Sequence, residues 1–113
     1  MPDSFPNDST GDALRWMAED GDDLSQPRIV EFSFIFPQRD RAIQFAAMVD
    51  DYRYEVCISW FGGKKAWDVA VRHKMIPTYH NITELEADLT RQAASVGGAA
   101  DGWGCYTQKN DDR

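Results

Sequence analysis

Two histidines are the first candidates for metal binding or acid–base chemistry. His73 and His80 lie seven positions apart with Pro77 between them, and no third residue at a recognised metal-ligand spacing accompanies them. Structural zinc needs four ligands and catalytic zinc needs three protein ligands. We therefore interpret both histidines as strand-end or loop residues, and the sequence predicts neither a metal ion nor another cofactor.

Nucleophilic and phosphate-binding motifs are similarly absent from the sequence. Cys57 and Cys105 are predicted on opposite edge strands, so neither a disulfide nor a shared site is expected. The run Gly62-Gly63-Lys64-Lys65 lacks the spacing of a phosphate-binding loop and is predicted to form a hairpin turn. Glu84 and Glu86 fall near a predicted helix start, where acidic residues interact favourably with the helix dipole. Because no coherent catalytic set emerges, we expect a protein that is not an enzyme.

Charge gives more information than these candidate catalytic groups. The chain has 19 acidic and 12 basic residues, a net charge of −7 at pH 7. Residues 1–24 hold seven of the acids against Arg15 alone, whereas the remaining 89 residues carry 12 acids and 11 bases. Proteins that bind nucleic acid or anionic membranes cluster Lys and Arg instead. We expect the acidic leading segment to suit a basic protein partner, while a role in solubility alone stays open.

Length and composition favour one domain in a reducing compartment. The 113 residues suit a single core, which we place at residues 9–108, with flexible tails at residues 1–8 and 109–113. Residues 1–9 lack the basic and apolar regions of a signal peptide, and no run of about 18 apolar residues could span a membrane. Two free thiols without a CxxC motif also fit a cytoplasmic protein.

Hydrophobic periodicity predicts seven secondary-structure elements. They are a helix capped at Ser9, a strand from Arg28 to Phe36, a helix capped at Asp40, a hairpin of strands Tyr54–Phe61 and Trp67–His73, a helix whose capping box starts at Thr83, and a strand from Asp101 to Thr107. An extra helix followed by β-α-β-β-α-β predicts an α+β fold, a ferredoxin-like sandwich with an antiparallel sheet and helices on one face. Its first and third strands would be central.

The predicted fold is shared with RNA-recognition modules, which stack bases on aromatic residues of the two central strands. The outward positions here are instead Glu31, Ser33 and Ile35 on one strand and Asp68, Ala70 and Arg72 on the other. Carboxylates on that face would repel RNA. We therefore expect no direct contact with nucleic acid.

Two stretches are not explained by the needs of folding alone. One is Gly21–Arg28, between the first helix and the first strand, and the other is Ala100–Gly104. In a structural interpretation, one of the two adjacent aspartates pairs with Arg28, and Trp103 fills the core. In a binding interpretation, both stretches belong to a protein-binding surface with Trp103 as its aromatic anchor. The candidate binding residues are Glu19, Asp20, Asp22, Asp23, Arg28, Asp101 and Trp103.

The same stretches resemble a known family. The segment EDGDDLSQPRIVEF, from Glu19 to Phe32, resembles the GDDL-x-x-PR opening and first strand of the regulator of ribonuclease activity B family, and the likeness continues through residues 34–37. Residues 82–85, Gly97-Gly98 and Asp101-Gly102-Trp103 resemble the ending of that family. Matches in this order span roughly residues 12–108.

The resemblance implies a ferredoxin-like fold and a cytoplasmic bacterial protein that binds the basic, non-catalytic region of ribonuclease E and damps its activity. The chain departs from the family at Phe32, where a histidine is common, and at Gly104-Cys105, where an acid often follows the DGW motif. It also ends in a short segment of mixed charge, from Lys109 to Arg113, in place of a long acidic tail. These departures leave the fold expectation intact and bear on the exact target.

A second hypothesis, from another class of function, stays open. A ferredoxin-like domain can sense a small ligand or act as an enzyme on its open sheet face, here around Ser33, Cys57, Asp68 and Arg72. A closed pocket with converging polar groups on that face would favour this hypothesis, and a flat or covered face would favour the regulator. The sequence specifies no oligomeric state.

Overall fold

A computed structural model describes residues 5–50 and 53–105 of the chain. These residues form α1 (Ser9–Glu19), β1 (Arg28–Phe36), α2 (Arg39–Met48), β2 (Glu55–Phe61), β3 (Ala66–Met75), α3 (Tyr79–Ser95) and β4 (Ala99–Cys105). The strand order is β2-β3-β1-β4, and every neighbouring pair is antiparallel. The predicted α+β fold is confirmed, with the element order of a ferredoxin-like sandwich, an extra leading helix, and β1 and β3 in the centre.

The strand β1 supplies the middle of the core. Its aromatic and β-branched residues suit a strand, and prolines on both sides limit its length. Val30, Phe32, Phe34 and Phe36 are fully buried, whereas the residues between them are at least partly exposed. The bounds predicted for this strand match the structure, and so does the face that it buries.

The helices α1, α2 and α3 lie on the face of the sheet to which these side chains point. Leu14 of α1, Phe45 of α2 and Leu89 of α3 are buried in the same cluster as the β1 side chains. The ring centroid of Phe45 lies 5.2 Å from those of both Phe34 and Phe36, so aromatic packing joins α2 to the sheet. The leading helix α1 packs beside α3, which leaves the opposite sheet face uncovered by any described helix.

The starts of α1 and α2 differ from the prediction by one and two residues. In α1 the N-cap is Asp8 and not Ser9. The Asp8 carboxylate accepts a hydrogen bond from the Gly11 amide at 2.8 Å. Aspartate caps helices as well as serine does, so the two neighbours compete. In α2 the N-cap is Gln38, and Asp40 lies within the first turn, where its charge favours the helix dipole without capping.

The predicted start of α3 was wrong by five residues. Its N-cap is Thr78, whose hydroxyl accepts a hydrogen bond from the Asn81 amide at 3.0 Å. The hydroxyl of Thr83 instead donates to the Tyr79 carbonyl at 2.8 Å, one turn earlier within the helix. The capping-box pattern at Thr83 therefore lies inside the helix, because an earlier threonine already caps the first turn by accepting from the Asn81 amide.

The last strand, β4, begins at Ala99, two residues before its predicted start. Residues 106 and 107 of the prediction lie outside the described residues. A register shift in the pairing of β1 with β4 leaves Asp101 as an extra residue in the strand. Cys57 and Cys105 are free and lie on the edge strands β2 and β4, as predicted.

The predicted tails are described only in part. Residues 1–4 and 109–113 lie outside the described residues. Phe5, which the sequence assigned to the leading tail, packs against the core, and Arg15 donates a hydrogen bond to its carbonyl at 2.8 Å. None of the described helices is long and apolar enough to cross a membrane.

Candidate protein-binding site

The connection between α1 and β1 is anchored by a buried ion pair. The guanidinium of Arg28 donates to the carboxylate of Asp22 at 2.8 Å, and their side chains are 1% and 0% exposed. Arg28 also donates to the main-chain carbonyls of Asp23 at 2.8 Å and Gln26 at 3.3 Å. Because one arginine holds a carboxylate and two carbonyls, the loop has a defined shape.

The surface of this connection is acidic. We call residues 19–27 the acidic loop; Glu19 and Asp20 are exposed, and Asp23 is half-buried. The Asp23 carboxylate accepts hydrogen bonds from the Ser25 hydroxyl and amide and from Gln26, and these bonds lower its pKa. Asp23 is therefore ionised at neutral pH. The last turn of α1 holds no basic residue, so the negative end of the helix dipole adds to the same potential.

The structure separates the roles of the residues that the sequence put forward. Asp22 pairs with Arg28, as the structural interpretation predicts, and both side chains are removed from the accessible surface. Glu19, Asp20 and Asp23 remain at the surface of the acidic loop, where a protein partner can reach them.

Asp101 and Trp103 belong to another part of the surface. Asp101 forms an ion pair with Lys64 in the β2–β3 turn. Trp103 is half-buried, and its indole nitrogen donates to the Thr10 hydroxyl at 3.2 Å, near the start of α1. A helix rises about 1.5 Å per residue, so Thr10, to which Trp103 donates, lies roughly 15 Å along α1 from Asp20. The fold therefore does not bring these two residues into the acidic surface.

An apolar groove lies beside the acidic loop. It has a volume of about 530 Å³ and runs between the end of α1, the acidic loop and the segment that joins β3 to α3. We call it the α1–α3 groove; its apolar lining consists of Phe5, Ala18, Leu24, Ile76, Pro77 and Tyr79. Sequence reasoning missed it. The sequence signal that could have indicated this groove was Ile76, an apolar residue between a strand and a proline. In the structure Ile76 is 43% exposed.

The open sheet face carries ion pairs between strands. Arg72 donates to Glu31 at 2.7 Å and lies 3.5 Å from Glu55, which links β3 to both of its neighbours. Burial raises the pKa of Asp68, and the charges of Asp101 and Glu31 act in the same direction. Charged side chains therefore cross the centre of this face, beside the exposed apolar residue Ile29.

A depression on this face tests the second hypothesis. It has a volume of about 520 Å³ and is lined by Ile29, Glu31, Glu55, Arg72, Gly104 and Cys105. Of the four residues predicted for a ligand site there, only Arg72 belongs to the lining. Ser33, Cys57 and Asp68 do not line it, so this depression is not the site predicted around those four residues.

The histidines and cysteines do not form a reactive centre in the described part of the chain. His73 contacts the Arg53 carbonyl at 3.1 Å, and His80 lies 3.3 Å from Glu84 within α3. Burial raises the pKa of the Cys105 thiol, which disfavours its reactive thiolate form. No group of three His, Cys, Asp or Glu residues within residues 5–50 and 53–105 is placed to hold a metal ion.

Comparison with known proteins places this arrangement in a family. Among curated proteins, none matches the chain significantly. A family model described as regulator of ribonuclease activity B matches residues 7–105. That span covers the acidic loop and all four strands of the described sheet. The protein therefore belongs to the regulator of ribonuclease activity B family.

Proposed function

We propose that this protein is a non-catalytic, cytoplasmic regulator that binds the basic, non-catalytic region of ribonuclease E and lowers its cleavage of RNA. Family membership supports a role in regulating ribonuclease activity. In this proposal the protein acts through protein–protein contacts alone, without a cofactor and without contacting RNA itself.

The charge of the acidic loop is the observation that carries the proposal. Arg28, the cation that follows the loop in sequence, is buried against Asp22, so its charge is neutralised within the fold. Glu19 and Asp20 are exposed and Asp23 is half-buried, and residues 19–27 contain no lysine or arginine. A surface of one sign attracts a segment of the opposite sign and speeds its association.

Contact with a basic region also supplies a mechanism of inhibition. Lysine and arginine side chains hold RNA through its phosphates, and each phosphate contact contributes to affinity. Carboxylates that occupy those cations compete with the phosphates. A bound regulator would thus reduce the capture of RNA without touching the catalytic centre.

The test is a calorimetric titration of the protein into the basic, non-catalytic region of its host's ribonuclease E. We expect saturable binding at about 50 mM salt and an affinity lower by at least about tenfold at 300 mM, because salt screens exposed charges. A parallel assay of RNA cleavage by the full ribonuclease should show slower cleavage when the protein is added. Absence of binding at both salt concentrations, with a folded protein, would refute the proposal.

A pair of charge variants identifies the surface. Glu19→Lys with Asp20→Lys should weaken binding by about tenfold or more and flatten its salt dependence. The control, Asp40→Lys with Asp50→Lys, makes the same change in net charge at the two ends of α2, where both residues are exposed. Equal losses in both variants would mean that net charge alone, and not the acidic loop, governs binding.

A further inference from the structure

We infer that the α1–α3 groove receives an apolar side chain of the partner, flanked in the partner's sequence by lysine or arginine. This inference rests on the proposed function and specifies the chemistry of the segment that is bound. The acidic loop alone would contribute only electrostatic attraction to the contact, and the groove adds an apolar anchor.

The walls of the groove suit an apolar side chain. Ala18, Leu24 and Ile76 come from three separate segments and present hydrocarbon to a space of about 530 Å³. Ligand sites of this volume are common among proteins. Ile76 leaves 43% of its surface in water, so a partner that covers it gains hydrophobic stabilisation.

One wall of the groove is formed by an aromatic side chain, that of Phe5. Phe5 is partly buried against the core and lines the groove. The segment that carries it is held by Arg15, which donates to the Phe5 carbonyl at 2.8 Å. An aromatic ring thus already packs at this surface, and the space of the groove lies next to it.

The charge at the edge of the groove selects a basic occupant. Asp23 belongs to its lining, and Glu19 and Asp20 lie in sequence between Ala18 and Asp22, which also line it. None of the described lining residues is a lysine or an arginine. An acidic segment, or a second copy of this acidic chain, would meet like charge here.

Asp8 adds a carboxylate next to a residue that lines the groove. The hydroxyl of Tyr79, a lining residue, donates a hydrogen bond to the Asp8 carboxylate. That hydrogen bond, with one from the Gly11 amide, lowers the pKa of Asp8, so its carboxylate is ionised at neutral pH. Asp8 and Asp23 thus place two ionised carboxylates next to the apolar lining, and a segment in which basic residues accompany an apolar one complements them.

The first experiment uses Ile76→Ser in the titration against the basic region of ribonuclease E. Ile43→Ser on α2 is the matched control, because Ile43 is 42% exposed and Ile76 is 43% exposed. Ile76→Ser should weaken binding by about tenfold at low and high salt alike, because an apolar contact is not screened. Ile43→Ser should leave the affinity unchanged. If wild-type protein binds and both serine variants bind equally well, the groove inference is overturned while the proposed function stands.

A second probe keeps the inference testable if ribonuclease E does not bind. Two basic pentapeptides that differ only in a central tryptophan or serine are titrated into the protein while NMR follows the amides of Leu24, Ile76 and Tyr79. The tryptophan peptide should bind at least about fivefold more tightly, and Ile76→Ser should abolish that difference. Equal affinities of the two peptides for wild-type protein would overturn the inference independently of the ribonuclease.

Discussion

At the scale of single residues, the carboxylate of Asp22 and the guanidinium of Arg28 lie 2.8 Å apart with both side chains inaccessible to solvent. Removing one member of such a pair leaves the other charge buried without compensation, which costs about 3–5 kcal/mol. We expect Asp22→Ala to lower the free energy of unfolding by that amount. Urea denaturation followed by circular dichroism measures it.

Asp12 and Arg15 provide the control for this measurement. They also form an ion pair at 2.8 Å, but it lies at the surface of α1, where such pairs contribute about 0–1 kcal/mol. Asp12→Ala should therefore cost less than about 1 kcal/mol. If Asp22→Ala were as mild as Asp12→Ala and yet weakened binding to ribonuclease E, Asp22 would be a contact residue and not a structural one.

The difference between Asp22 and its neighbour Asp23 could not be predicted from the sequence. Both are acidic residues in a loop, and both were candidates to pair with Arg28 or to contact a partner. The choice depends on which carboxylate the backbone turns inward. That direction is set by Arg28 and by the carbonyls it binds, which become neighbours of the loop only in the folded chain.

At the scale of the elements, strands were predicted more accurately than helix starts. The period of two in β1 is strict and is bracketed by prolines, so its bounds and buried face could be deduced. Helix starts depend on one hydrogen bond from a cap, and several nearby residues can make it. Asp8 and Thr78 serve as caps where Ser9 and Thr83 were predicted, because capping is a local competition among similar side chains.

The attachment of α1 to β4 gives a prediction at this scale. Trp103 packs against the core and donates its indole N–H to Thr10. Because the ring is only half-buried, Trp103→Ala should cost about 3 kcal/mol, the lower end of the range for a core aromatic residue. Thermal and urea unfolding of the variant would measure this loss.

Trp16 is the control for Trp103, because it lies on α1 and is 75% exposed. Trp16→Ala should change stability by no more than about 0.5 kcal/mol, because an exposed side chain makes few contacts to lose. A Trp103→Ala variant as stable as Trp16→Ala would contradict the packing role. It would return Trp103 to the set of candidate binding anchors.

At the scale of the whole molecule, the fold class followed from the order of the elements, whereas the groove did not. Its lining comes from residue 5, from residues 18–25 and from residues 76–79, which are distant in sequence. Only the packing of α1 beside α3 brings them together. The acidic half of the candidate site is a continuous segment and was visible in the sequence; the apolar half is assembled by tertiary structure and was not.

The topology of the sheet also predicts how stability is distributed through the molecule. β1 and β3 each pair with a strand on both sides, whereas among the described residues β2 pairs only with β3 and β4 only with β1. Amides in the central strands open only when the whole core opens, so their exchange reports global unfolding. The buried residues Phe32, Phe34, Val69 and Val71 belong to these strands.

Native-state hydrogen exchange followed by NMR measures that distribution directly. The amides of β1 and β3 around the buried core residues should exchange slowest, at least about a hundredfold more slowly than the amides of β2 that point away from β3. The half-exposed or exposed side chains of β2 give little additional protection to this edge. If the outward-pointing amides in residues 57–59 exchanged as slowly as those of β1, the edge of β2 would be covered in solution. The first explanation to test would then be a second copy of the chain that pairs along that edge. Exchange measured at several protein concentrations would test it, because such pairing depends on concentration.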